Sequence, residues 1–326
     1  MGGGGWTTKD WDSFQQTTTV GKSTAQVFTS RGMLDWMDPL NIEVRESRNS
    51  PDNPKATPII LGLDVSGTMG EIADYLARDG LGTLAQEILN RKPVSDPHIM
   101  AMGIGDAGEQ FDAGYPYGGD QAPLQVTQFE ADIRIAEQLK QIYLEGNGGG
   151  NGYESYTLAW YFAARKTDID CVKDGRKGLL FTFGDERCPA VLAATNIQRV
   201  IGENPERNLS ASDILAMVQQ KYDVFHVVVE EGDYAKRDLR GVYESWKKVL
   251  PEGHVIPLKD KTKVAEVVVS VMEVWAGKDA ALVAKSWDGS TGLVVAEATK
   301  GLVKGGGSND NAPAVWRPGA TGGARP

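Results

Sequence analysis

Apolar runs punctuate this chain at intervals: PIILGLD (58–64), HIMAMGIGD (98–106), KGLLFTFGDE (177–186), DVFHVVVE (223–230) and HVIPL (254–258). Runs this short and this continuously apolar predict strands buried on both faces, because a strand with one wet face would alternate. Between them lie stretches with helical spacing. Ile72, Leu76, Leu84 and Ile88 mark one over 70–90, where Gly80 and Gly82 are expected to interrupt it. Others are predicted over 153–167, 210–222, 243–250 and 261–275, and LQVTQF (124–129) reads as a short edge strand followed by a helix to Leu144. Strands alternating with helices predict an α/β domain with a mostly parallel sheet covered on both faces. Such sheets bind ligands at the carboxyl ends of their strands.

Four regions follow from composition. Residues 1–55 are rich in Gly, Thr, Ser and Asn, yet Trp6, Trp11, Phe14, Met33, Leu34, Trp36 and Met37 need cover, which predicts an arm packed on the main domain. Residues 56–277 form the α/β domain, and 278–304 a helical extension. Residues 305–326 are too rich in Gly and Pro to bury enough apolar surface to order themselves. A formal charge of -10 and a pI near 5.0 argue against nucleic acid or an anionic membrane as partner. No apolar run reaches the roughly 18 residues that span a bilayer. The N-terminal MGGGGWTTKDWDSF lacks the basic and apolar segments of a signal peptide, so a cytoplasmic location is expected. Two cysteines, Cys171 and Cys188, make no disulfide framework, and His98, His226 and His254 show no zinc spacing.

One segment carries chemistry. LGLDVSGTMG (61–70) ends a buried strand with an acid, two hydroxyls and two glycines. A phosphate cradle is a poor fit: the segment has no lysine, and the loop around Gly21-Lys22-Ser23 has Gln16 where the first glycine of a P-loop must stand. A nucleophilic aspartate of the DxDxT type would need a second acid where Ser66 stands. A metal site uses every oxygen. Asp64, Ser66 and Thr68 alternate along a loop that Gly67 and Gly70 allow to turn tightly, and a hard divalent cation takes carboxylate, hydroxyl and water oxygens. One carboxylate under-neutralises such an ion. Further oxygens stand at Asp185, which follows the strand LLFTFG, and at Asn151, Glu154 and Ser155, where the glycine-rich loop 146–152 opens a helix.

These three segments resemble the von Willebrand factor type A family. DVSGTMG is similar to its DxSxS signature, with Thr68 in place of the second serine; GGGNGYES resembles its second metal loop; FTFGDE resembles its strand with the third-loop aspartate. The resemblance spans residues 56–276. It departs from the family in the second loop, where Gly150 or Asn151 stands in place of the usual threonine. It implies a Rossmann-like, doubly wound sheet with a metal-ion-dependent adhesion site on its top edge. It further implies Mg²⁺, with Mn²⁺ or Ca²⁺ as substitutes, held by Asp64, Ser66 and Thr68, with Asn151 and Glu154 from the second loop and Asp185 through water. Family members of this kind are non-enzymatic: the ion completes its shell with a glutamate or aspartate carboxylate of a partner protein. Intracellular bacterial and phage relatives work in some cases beside AAA+ ATPases of the MoxR type.

Two other functions compete. A metal-dependent phosphatase or hydrolase would use Asp64 and Asp185 to activate water, but no histidine or lysine accompanies the motif loops as a general acid or base. A structural subunit would keep the metal loop as a vestige and assemble through the arm and tail. An Asp-x-Ser turn can also be a plain helix N-cap, and Glu154 a first-turn acid favoured by the helix dipole. His226 and the run Trp160, Tyr161, Phe162 read as core. The segment 103–123, with Asp106, Asp112, Asp120, Tyr115 and Tyr117, reads as a solvated loop or a rim that meets a partner.

Overall fold

Six strands form one sheet among the described residues of a computed structural model, which describes Gly5 and residues 7–108, 121–145 and 153–303. The readings placed on 109–120, on Asn151 and on the tail 305–326 lie outside these residues. The strands are β1 (Thr57–Asp64), β2 (Pro97–Ile104), β3 (Leu124–Val126), β4 (Gly178–Gly184), β5 (Tyr222–Val229) and β6 (Val255–Leu258). Their order is β6-β5-β4-β1-β2-β3, with every neighbour parallel except β3, which runs antiparallel to β2. The protein is thus mixed α/β with a mostly parallel sheet.

β1 shows why the apolar runs are continuous: all eight of its residues are buried. Ile59, Leu61 and Leu63 point into one core, and Ile60 into the other. Each such side chain contributes about 1.5–3 kcal/mol of burial. The first core is covered by the helices Gly70–Tyr75, Leu81–Arg91 and Val264–Trp275, and the second by Tyr156–Arg165, Ala194–Ile201, Ala211–Val218 and Asp233–Lys247. The helix over 70–91 does not stop at its glycines. It continues through a π-helical turn, Leu76–Gly80, that absorbs an extra residue without breaking the axis.

Trp11, Phe14, Val27, Phe28 and Met37 of the N-terminal segment enter the first core. Arg78 ties that segment down by donating to the carbonyls of Thr19 (3.0 Å) and Lys22 (2.9 Å). At the other end, Ala280–Lys285 and Gly289–Ala298 bring Val283, Ala284, Val295 and Ala298 to the same core, and Arg91 lies 3.6 Å from the centre of the Trp287 ring.

The β6 edge is closed to further pairing by proline. Amides of His226 and Glu230 donate to the carbonyls of His254 and Leu258, so the even-numbered residues of β6 face β5 and Pro257 faces outward, where its missing N–H removes a donor.

The sheet order also locates the site. From β1 the chain passes to β2 and β3 on one side, then returns to β4, β5 and β6 on the other, so the order reverses between β1 and β4. A crevice forms where crossovers diverge from adjacent parallel strands, at their carboxyl ends. Leu63 pairs with Phe183, which brings Asp64 level with Gly184.

Candidate metal centre

Asp64 ends β1 with 1% of its surface exposed. Its Oδ1 accepts the Ser66 amide (2.9 Å) and the Ser66 hydroxyl (2.8 Å), and its Oδ2 accepts the Tyr156 hydroxyl (3.0 Å). Burial raises the Asp64 pKa to about 7; the Ser66 amide opposes this, the charge of Asp185 adds to it, and the Ser66 and Tyr156 hydroxyls oppose it further. Among the described residues the donors to Asp64 are neutral, and a buried carboxylate so held calls for either a proton or a cation.

Around it stand more acids. Asp64, Glu154 and Glu186 each offer one carboxylate oxygen, all within 4.8 Å of one another. Glu154 precedes the helix Tyr156–Arg165 and is buried; Glu186 follows β4 by two residues and is partly exposed. The Tyr156 hydroxyl sits among them, and its pKa lies well above the ordinary value through burial and then the charges of Asp64, Glu186, Asp185 and Glu154. Such a donor set, three carboxylate oxygens with the Ser66 hydroxyl alongside, suits a hard divalent cation.

Tyr156 reaches Asp64 because β4 ends in glycine. A Cβ at Gly184 would collide with the Tyr156 hydroxyl, so any side chain there would push the phenol away. The ring is held from behind by His226 (centroids 5.1 Å) and Trp246 (5.4 Å), both edge-on. His226 in turn stacks on Trp246 at 3.5 Å and shares a 2.9 Å hydrogen bond with the Thr182 hydroxyl. Burial pushes the His226 pKa well below its usual value, so this histidine is a neutral core residue.

Asp185 sits beside the cluster but engages other groups. Its Oδ2 accepts the amides of Tyr234 (2.7 Å) and Ala235 (3.4 Å), two of the unsatisfied donors that open the helix Asp233–Lys247. Gly232 permits that approach, since a Cβ there would overlap the Asp185 carboxylate. Burial raises the Asp185 pKa against the pull of those amides. Ser155 also faces elsewhere: its hydroxyl accepts the Ala107 amide (2.8 Å) and its own amide donates to Gly105 (3.1 Å), clamping the loop that leaves β2.

Of the residues singled out in the sequence, the structure therefore brings Asp64 and Glu154 together, with Ser66 bonded to Asp64 and Asp185 adjacent but turned to the helix. Thr68 lies in the short 3₁₀ turn Gly67–Met69, its side chain outside the described part, as is Asn151. Glu186 and Tyr156 were not singled out. The motif FTFGDE contained Glu186, but which of two consecutive acids turns toward β1 depends on a helix about fifty residues away.

No protein-family profile matches the chain, and no curated protein matches it. Among solved structures, the chain is similar to the pilus adhesin SpaC from Lactobacillus rhamnosus GG in an open conformation, at 11% identity and a TM-score of 0.41. That match covers 73% of this chain and 31% of the adhesin. A second structure of the same adhesin gives 11% identity and a TM-score of 0.41 over 70% of this chain and 31% of that one. The chain thus spans about a third of the adhesin's length. Among the described residues no helix is long and apolar enough to cross a membrane.

Proposed function

We propose that this chain is a divalent-cation-dependent protein-binding module of the von Willebrand A type, with a doubly wound sheet whose top edge carries the ion. The observation that carries the reading is the convergence of Asp64, Glu154 and Glu186 at the point where the strand order reverses. In this reading Asp64, Glu154 and Glu186 hold the ion directly, and the Ser66 hydroxyl and Asp185 act at its margin. The family resemblance also assigns Thr68 and Asn151 to the ion. Mg²⁺ is the expected ion, with Mn²⁺ or Ca²⁺ as substitutes. When bound, it supplies an electrophilic point to which a carboxylate of a partner protein attaches. The chain's own groups fix the geometry: Tyr156 and Ser66 hold the Asp64 carboxylate in one orientation, and Gly184 leaves room for the phenol.

The partner in this reading is a protein in the cytoplasm that presents a glutamate or aspartate, with a AAA+ ATPase as companion. Isothermal titration of the full chain with Mg²⁺ tests the ion site: saturable binding in the parent and none in Asp64→Ala supports it, and equal affinity in both contradicts it. Recovery of a partner in Mg²⁺ but not in EDTA tests the binding role. Phosphate release that requires Mn²⁺ and is lost in Asp64→Asn would instead favour a hydrolase.

A further inference from the structure

We infer that residues 312–318 of this chain, Ala-Pro-Ala-Val-Trp-Arg-Pro, dock in a groove along the β6 edge, whether or not an ion binds at Asp64. The groove has a volume of about 690 Å³, the size of an ordinary ligand cleft. Val255 and Pro257 of β6 line it, with Tyr243 and Leu250 on one side and Glu297 and Gly301 on the other. Those sides belong to opposite faces of the sheet. Val242 and Trp246 of the helix Asp233–Lys247 enter the second core, whereas Val295 and Ala298 of the helix Gly289–Ala298 enter the first. The groove is therefore the open edge of the sheet between two helices.

Place, charge and chemistry select the occupant. Gly301 lines the groove, and Leu302, buried in the first core, fixes the point at which the chain leaves it. Nine residue steps from Val303 to Ala312 span at most about 30 Å, so the segment is within reach. A short tether presents it at an effective concentration of about millimolar. Among the lining residues, Glu230, Glu252 and Glu297 outnumber Lys247 and Lys300, and Glu252 is exposed. Residues 304–326 carry Lys304, Arg317 and Arg325 against Asp310, a formal +2 within a chain of -10. The odd-numbered residues of β6 face away from β5, and Pro257 offers no N–H there, so an occupant is read by its side chains and not by a ladder of backbone bonds. Tyr243, Leu250 and Val255 give apolar surface for the Trp316 indole, while Glu252 receives the neighbouring Arg317 guanidinium. Trp and Arg are the side chains on which interfaces most often depend. A docked segment also covers this edge against pairing with other chains.

The test uses the full chain with the photo-crosslinker benzoylphenylalanine in place of Val315, which keeps Trp316 and Arg317 intact. Irradiation of a dilute sample, followed by mass spectrometry, should join position 315 to residues between Tyr243 and Pro257 of the same chain. Arg317→Glu should lower the yield of those products several-fold by setting like charges against each other, and adding Glu252→Lys should restore it. Glu252 is exposed, so its variant should fold as the parent does, which circular dichroism checks. Products scattered over the surface, or equal yields in parent and Arg317→Glu, overturn the docking. Products that join two chains at this groove overturn it as well, by giving the site to a second copy.

Discussion

Two groups of three acids in this protein are built in opposite ways. Glu46, Asp168 and Asp170 surround the guanidinium of Arg48, where the short strands Arg45–Ser47 and Thr167–Ile169 pair near the surface. Asp170 is drawn down to about 2, first by the Lys173 ammonium, which burial opposes, and then by the Asn49 amide and Arg48. Asp64, Glu154 and Glu186 converge instead at the carboxyl ends of β1 and β4, where Asp64 meets a hydroxyl, an amide and a phenol and is pushed up to about 7. The first group brings its own cation. The second is where we propose that a cation from outside binds, and its Asp64 is raised first by burial and then by the charge of Asp185.

That contrast can be broken at several points. The largest effect is expected from Asp64→Ala, which should lower divalent-ion affinity at least a hundredfold by calorimetry, while circular dichroism shows the fold retained. Gly184→Ala comes next. Its methyl group must displace the Tyr156 hydroxyl in a packed interior, which should lower stability by about 1–3 kcal/mol in chemical denaturation and weaken ion binding as well.

The pH response should separate the two groups by sign. Asp64 in the folded chain binds its proton more tightly than in the unfolded chain, so its contribution to stability is full below the ordinary value of 3.8 and is lost as pH rises through about 7. Melting of the chain in EDTA should therefore fall between pH 5 and 7.5, and Asp64→Asn should flatten that slope. Asp170 has the opposite sign: its contribution is present above 3.8 and lost as pH falls toward 2. Tyr156→Phe should cost about 1 kcal/mol by removing one hydrogen bond to Asp64. The smallest effect belongs to Asp170→Asn, about 0–1 kcal/mol and smaller still in high salt, because a partly exposed ion pair is screened.

The legible parts of this protein were those whose causes are local. Continuous apolar runs marked β1, β2, β4, β5 and β6 to within a few residues, since a strand buried on both faces must be apolar throughout. Asp64 could be read because it directly ends such a run, and Glu154 because a helix begins beside it. What escaped depends on distant partners. Only the second half of the helix Asp233–Lys247 was visible, because Asp238 leaves helical geometry (φ -145, ψ 49) and its carboxylate accepts the Gly241 amide while pairing with Arg187. The helix Ala194–Ile201 went unread: it covers one turn of core at a time, and its place is fixed by Arg199 and Asn196 gripping the carbonyls of Ala107 and Gly108. The turn of Asp185 toward the helix Asp233–Lys247 follows from the amides of Tyr234 and Ala235, which no spacing around residue 185 could reveal. Nothing near Tyr156 in the sequence marks it, because its contact with Asp64 depends on the phenol passing Gly184 of a distant strand.

The central claim is tested most directly by the free Mn²⁺ signal in electron paramagnetic resonance as the full-length protein is titrated in at neutral pH. Loss of that signal with one ion taken up per chain, and its persistence with Asp64→Ala, is the predicted result. A signal undiminished by the parent protein, or diminished equally by the variant, would contradict the account.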